Sequence, residues 1–168
     1  MSTILKALNA FAGINKNAAA PQDRKPVSLD ERLIAASVPP ETLAEAEAGN
    51  KRRGDAGFFE FLTRKKAIDE IRLLAILSEH FSIPFLRELP MERIDIGFTQ
   101  SVPIHYLKKH KMVPIITDEV QVIAVNDPVN FQPADDLRLL LQKQDLPIVL
   151  APQDAIVAAI NLAYDMSR

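Results

Sequence analysis

The sequence predicts an α+β fold, in which an N-terminal helical subdomain is followed by a small three-stranded α/β sandwich. Residues 28–82 place apolar side chains at helical spacing between successive helix-start signals. Two runs rich in β-branched residues then follow each other near residue 115, and a third run precedes residue 151. The chain has 168 residues, which is enough to bury a core without help from a partner.

Three segments follow from these patterns. Residues 13–27 lack apolar periodicity and are rich in Asn, Pro, Lys and Ala, as in a flexible tether. We therefore expect an amphipathic docking helix with its tether in residues 1–27, the helical subdomain in residues 28–90, and the α/β sandwich in residues 91–168.

The first helices of the helical subdomain have clear boundary signals. Ser28 and Glu31 have the spacing of a capping box, in which each side chain accepts a free N–H at the helix start. Pro39 ends this helix, and Pro40 can open the next one because proline is tolerated in a first turn. We expect that second helix to end at Gly49.

Two more helices complete the subdomain. A short one is capped by Asp55, and a longer one covers residues 69–81. The helical segments that start near Glu31 and Asp55 are candidates for a degenerate repeat.

The sandwich is predicted as helix, strand, strand, helix, strand, helix, with helices over one face of the sheet. The first two strands read as a hairpin around Asp118 and Glu119. The expected elements are a helix at 100–110, strands at 113–117 and 120–125, a helix at 133–142, a strand at 147–150 and a final helix from Pro152.

Composition excludes several function classes. Twenty Lys and Arg against twenty-two Asp and Glu give a net charge of −2, which offers no excess positive field for nucleic acid. The chain has no cysteine, and its three histidines do not form a ligand set, so we expect no metal and no cofactor. It has neither a phosphate-binding glycine loop nor an apolar run long enough to span a membrane. We expect a cytoplasmic protein that is not an enzyme.

Two basic clusters lie at helix ends in the helical subdomain. They are candidates for binding a nucleotide phosphate or an acidic partner. The alternative is that they are solvated charges that favour helix C-termini. The candidate residues are Lys51, Arg52, Arg53, Arg64 and Lys65.

The N-terminal eleven residues form a candidate partner-binding helix. Ile4, Leu5, Leu8 and Phe11 fall within an arc of about 120° on a helix. Because a helix this short is marginal alone in water, this face needs a surface to bind. That surface is a partner protein, the chain's own globular part, or a membrane.

Four ordered segments resemble the N-terminal domain of type II secretion and type IV pilus assembly ATPases, also called the MshE N-terminal domain. The resemblance covers roughly residues 28–166, and its segments are FLTRKKAIDEIRLLAILSEHFSIPFL (61–86), VPIHYLKKHKMVPI (102–115), VIAVNDPVN (122–130) and DAIVAAINLAY (154–164). It implies a non-catalytic adaptor whose partner is the cytoplasmic domain of an inner-membrane secretion platform protein or another secretion or pilus component. It also implies recruitment to the inner face of the inner membrane.

Some members of this family bind cyclic di-GMP through two Arg-Leu-Gly-type helical motifs. In this chain Arg32 and Leu33 are followed by Ile34, and Ala36 or Ser37 stands where a later glycine is expected. In the second half Gly57 is kept, but Asp55 and Ala56 replace the Arg-Leu pair, and Lys66 falls near the later glycine. We therefore do not expect cyclic di-GMP to bind, and a sensor of that nucleotide is the alternative function.

Overall fold

The computed structural model describes residues 26–53, 57–129 and 131–168, and within these ranges it confirms the α+β class. Seven α-helices and a three-stranded mixed sheet are present there. The helices are α1 Leu29–Ala35, α2 Pro40–Arg53, α3 Phe58–Arg64, α4 Glu70–Phe81, α5 Ile104–His110, α6 Gln132–Leu141 and α7 Gln153–Met166. The strands are β1 Met112–Ile116, β2 Gln121–Val125 and β3 Ile148–Leu150, and a 3₁₀ turn covers Gly97–Gln100.

Side-chain caps fix the starts of α1 and α4. The hydroxyl of Ser28 accepts the N–H of Glu31 at 3.2 Å, and the carboxylate of Glu31 accepts the N–H of Ser28 at 2.9 Å. This is the capping box predicted from the sequence. Asp69 caps α4 by accepting the N–H of Arg72 at 3.4 Å.

The predicted end of α2 is wrong, because the helix continues through Gly49 to Arg53. A glycine inside a helix costs about 1 kcal/mol relative to alanine, which tertiary context can override. α3 then begins at Phe58, directly after Gly57, whose φ of 109° is left-handed. Asp55, the predicted cap of this helix, lies outside the described residues.

The sheet has the order β1, β2, β3. β1 and β2 form the predicted antiparallel hairpin, with Ile116 opposite Gln121. In its turn the hydroxyl of Thr117 accepts the N–H of Val120 at 2.9 Å. β3 is parallel to β2, with Ile123 opposite Ile148, so α6 forms the crossover between them.

Both faces of the sheet are covered, which goes beyond the single helical layer expected from the sequence. All residues of β1 and four of the five in β2 are buried. α5 and α7 both contact β1. A strand buried on both faces is apolar throughout instead of alternating, as the sequence of β1 shows.

A single hydrophobic core joins the helices and the sheet. It extends from Leu33 in α1 to Ala163 in α7, while α1 packs on α4 and α2 packs on α3. One face of α7 is buried in this core, and its residues are Ile156, Ala159, Ile160 and Ala163. In the part of the chain that the structure describes, no helix has the length and apolar character needed to span a bilayer.

Candidate functional site

The four predicted partner-binding residues, Ile4, Leu5, Leu8 and Phe11, lie outside the described residues, which begin at Pro26. The docking-helix interpretation therefore stays a prediction. Val27 is 50% exposed and Ile34 is 45% exposed, so apolar surface is present where the described chain begins.

The first basic cluster, Lys51, Arg52 and Arg53, forms the last turn of α2 instead of a turn beyond it. The structure describes the backbone of these three residues but not their side chains. In the second cluster, Arg64 is the last residue of α3 and Lys65 follows it, and both are exposed. The ammonium of Lys65 lies 5.6 Å from the centroid of the Phe61 ring, in range of a cation–π contact.

The two helical halves share one local structure. After α1, Ser37 has a φ of 72° and the N–H of Val38 donates to the carbonyl of Leu33 at 3.1 Å. After α3, Lys66 has a φ of 55° and the N–H of Ala67 donates to the carbonyl of Leu62 at 3.0 Å. Both are helix ends closed by a left-handed residue. The same closure ends α4 at Ser82 and α6 at Gln142, so the degenerate repeat suspected from the sequence stays a prediction.

Ser37 is one of the two residues that stand where the family resemblance expects a later glycine in the first half, and Lys66 lies near the corresponding glycine of the second half. The backbone conformation that favours glycine is kept at both positions, but the residues are a serine and a lysine. A side chain at such a position occupies space that a bare glycine leaves open to a ligand.

Arg32 has an incompletely paired guanidinium. Its Nη1 lies 3.6 Å from the carboxylate of Glu79, while its Nε is buried and finds no acceptor among the described residues. A buried donor without an acceptor is costly, and a guanidinium pairs well with anions, so Arg32 is a candidate contact for an anionic group.

A small open cleft lies where the helical part meets the sandwich. Its lining includes Glu60 and Glu70 from the helical part and Lys111 and Asn126 from the sandwich. The Lys111 ammonium pairs with the Glu60 carboxylate at 3.3 Å. Glu70 accepts the side-chain amide of Asn126 and the N–H of Gln153, each at 3.4 Å. These bonds tie the two parts together and use the polar groups on the floor of the cleft.

A second group of titratable residues joins α5 to α6. The Tyr106 hydroxyl donates to the carbonyl of Pro133 at 3.3 Å, and the ring centroids of Tyr106 and His110 are 4.7 Å apart. Burial raises the pKa of Tyr106, with a further contribution from Asp136. Burial and Lys109 lower the pKa of His110, and Asp136 opposes that shift.

The described residues offer no cluster of three or more His, Asp or Glu side chains able to hold a metal ion. Asp135, one of the paired acids near the start of α6, forms an ion pair with Arg138 at 2.5 Å. The bonds around the cleft and the Tyr106–Pro133 hydrogen bond connect different elements, whereas the Asp135–Arg138 pair lies within α6.

A family model of the MshEN domain matches residues 81–168, which is just over half of the chain. The chain belongs to the MshEN domain family. The resemblance drawn from the ordered sequence segments is thereby confirmed, and family membership supports a module of a secretion or pilus system.

Two similar solved structures show the same fold as this MshEN chain. A structure of MshE with cdg, or cyclic di-GMP, is 20% identical, with a TM-score of 0.58 over 84% of this chain and 100% of that chain. The N-terminal domain of XpsE is 16% identical, with a TM-score of 0.55 over 82% of this chain and 97% of that chain. No curated protein matches the chain. Cyclic di-GMP, the ligand in the MshE structure, is not expected to bind this chain on the basis of its sequence.

Proposed function

We propose that this chain is a non-catalytic interaction module of a bacterial type II secretion or type IV pilus system. In this role it docks on the cytoplasmic domain of an inner-membrane platform protein and is thereby held at the inner face of that membrane. The observation that carries the proposal is the MshEN match through the sandwich, together with a fold shared with the XpsE N-terminal domain.

Exposed apolar side chains in the sandwich support a docking role. Phe131 is 62% exposed and Leu139 is 63% exposed, at the start and near the end of α6. On α7, Leu162 and Met166 are 42% and 54% exposed and lie one turn apart. Such residues lower the cost of joining a partner because their burial removes apolar area from water.

Co-purification from the native cell tests this proposal. The full chain with a C-terminal tag should bring down an inner-membrane platform protein at a fixed ratio, while the purified chain hydrolyses no ATP. A platform protein that is absent from every eluate would refute the docking role. ATP turnover that survives repurification and exceeds the buffer blank would refute the non-catalytic role.

A cyclic di-GMP sensor is the second candidate. The unpaired Arg32 Nε favours it, and MshE is seen with this ligand. The side chains of Ile34, Ser37 and Lys66 oppose it, because they stand where close approach of a phosphate needs glycine.

We predict that cyclic di-GMP does not bind more tightly than about 10 μM, or roughly 7 kcal/mol. Titration calorimetry at neutral pH and moderate salt measures this directly. Sub-micromolar binding that is abolished by Arg32→Ala, Arg52→Ala or Lys65→Ala would make the sensor the leading function. Loss in the Arg32 variant alone would place the ligand at α1, away from the second basic cluster.

A further inference from the structure

Six cationic side chains gather at the C-terminal ends of α3 and α5. We call this group the basic rim, and it consists of Arg64, Lys65, Lys66, Lys108, Lys109 and Lys111. The first five are exposed, and none of those five has a carboxylate within 4.0 Å among the described residues. Their charge is therefore available to a partner.

The two halves of the rim are joined across the cleft. Lys111, which follows α5, pairs with Glu60 of α3 at 3.3 Å. Arg64 lies one helical turn beyond Glu60, and Lys108 lies about one turn before Lys111. The clusters thus flank one contact, although the sequence separates them widely.

Buried residues anchor the two helix ends that carry the basic rim. Leu62 and Leu107 are fully buried, at 0% exposure, in the turns that precede the two clusters. Because these two leucines are held in the core, the two basic clusters keep a fixed spacing from each other.

Backbone conformation gives a second observation. Lys66 after α3 and Lys111 after α5 have φ values of 55° and 51°. The left-handed residue that closes a helix is most often glycine and sometimes asparagine. At the end of both helices the chain instead places a lysine, so each half of the rim gains a positive charge at an unfavourable backbone position.

We propose that the basic rim binds an acidic segment of the partner protein, an inference that rests on the docking function proposed above. With Glu60, Asp69, Glu70 and Asp136 beside it, the rim region has a net charge of +2, so the remainder of this −2 chain carries −4. An acidic segment contacts the rim alone, whereas an extended anionic membrane is repelled by the rest of the chain. Fixed spacing across a cleft also fits a shaped protein segment better than a flat surface.

Fluorescence anisotropy with a labelled peptide of about ten glutamates tests the chemistry at low ionic strength, where such pairs are least screened. The rim variant is Lys65→Glu with Lys108→Glu. The matched control is Arg87→Glu with Lys143→Glu, which changes the net charge equally at exposed positions outside the rim. The rim variant should weaken binding about tenfold or more and the control less than about threefold. Thermal melts of both variants check that each is folded.

Three results would overturn the inference. One is an absence of binding by the unaltered chain, and another is an equal loss in the two variants, which would reflect net charge alone. The third is rim-dependent sedimentation with phosphatidylglycerol vesicles without peptide binding, which would identify a membrane surface in place of an acidic protein segment.

Co-purification with the same variants separates this inference from the proposed function. If the rim variant recovers the platform protein as well as the unaltered chain does, the rim is not the docking surface and the adaptor role stands. If the unaltered chain recovers no platform protein while the peptide still discriminates between variants, the adaptor role fails and an acidic-ligand site remains.

Discussion

Single residues with a left-handed backbone close the C-terminal ends of α1 and α3. Ser37 and Lys66 each let the next residue donate back into the helix, which satisfies a carbonyl that would otherwise lack a partner. A non-glycine residue adopts this conformation at a cost of about 1 kcal/mol. The left-handed backbone of Ser37 and Lys66 therefore lowers the stability of the folded state at both positions.

Lys66→Gly should raise the free energy of unfolding by about 0.5–1 kcal/mol, because glycine reaches this φ without a steric cost. Its matched control is Lys65→Gly, one residue earlier, where φ is −73° and glycine should destabilise by a similar amount. Urea unfolding of the two variants measures both changes. A Lys66→Gly chain less stable than the wild type would mean that the lysine side chain makes a stabilising contact that outweighs the backbone cost.

The sequence predicts the conformation of a residue when the residue types next to it determine that conformation. The capping box of Ser28 and Glu31 needs only residue types at the right spacing, and the structure contains it. The conformation of Lys66 is different, because lysine carries no signal for a positive φ. Only the family resemblance pointed to that position, through the glycine expected nearby.

At the scale of elements, α5 and α6 meet through Tyr106, His110 and Asp136. Tyr106 donates to the start of α6, and His110 packs on the Tyr106 ring. Because burial lowers the pKa of His110, the folded chain favours the neutral imidazole. The charges that face it are Lys109 on its own helix and Asp136 on α6.

We predict that His110 makes the folded state less stable in mild acid. Below the ordinary histidine pKa of about 6.5 the unfolded chain takes up the proton first, so the free energy of unfolding falls as pH drops toward the lower folded-state pKa. Above that range both states are neutral and the contribution vanishes. His110→Gln should therefore lose less stability than the wild type between about pH 7.5 and 5.5.

Thermal melts across that range test the prediction, with His105→Gln as the control on the exposed side of the same helix. The His105→Gln chain shows whether loss of a histidine elsewhere on α5 by itself changes the pH dependence. Identical pH profiles for the wild type and His110→Gln would show that burial of the imidazole has no energetic effect.

Elements were predictable in type more than in extent. The hairpin and the third strand follow from apolar runs and turn residues, and the structure has both, whereas the parallel pairing of β3 with β2 was not predicted. The end of α2 was misplaced, because a glycine weakens a helix by about 1 kcal/mol without by itself ending it, and α2 continues through Gly49 to Arg53. The covering of both faces of the sheet depends on where distant helices pack, which periodicity within β1 alone does not determine.

At the scale of the whole molecule, the interaction surfaces are products of tertiary structure. The basic rim joins two clusters through the contact of Lys111 with Glu60, so no single stretch of sequence contains it. The sequence located Arg64 and Lys65 as candidates but could not pair them with the lysines of α5. The core that unites the helices with the sheet fixes this arrangement.

The N-terminal segment is predicted to contribute to partner binding and little to folding. Ser28 caps α1 with its own side chain, and residues 26–28 are exposed, so the described fold has its first helix closed without residues 1–12. A tether of about fifteen residues spans roughly 20 Å on average, enough for a helix at its end to reach a second protein. Burial of Leu5, Leu8 and Phe11 on that protein would contribute about 1.5–3 kcal/mol each before ordering costs.

Deletion of residues 1–12 should therefore leave the melting temperature within a few degrees of the full chain and weaken partner recruitment by about tenfold or more. Paired thermal melts and pull-downs of the two chains measure both effects, and the rim variant provides a folded comparison with recruitment impaired by another route. A fall in melting temperature of more than about 8 °C, or roughly 2 kcal/mol, would mean that Ile4, Leu5, Leu8 and Phe11 pack on the chain's own core. Their apolar face would then be buried within the molecule and unable to dock on a partner.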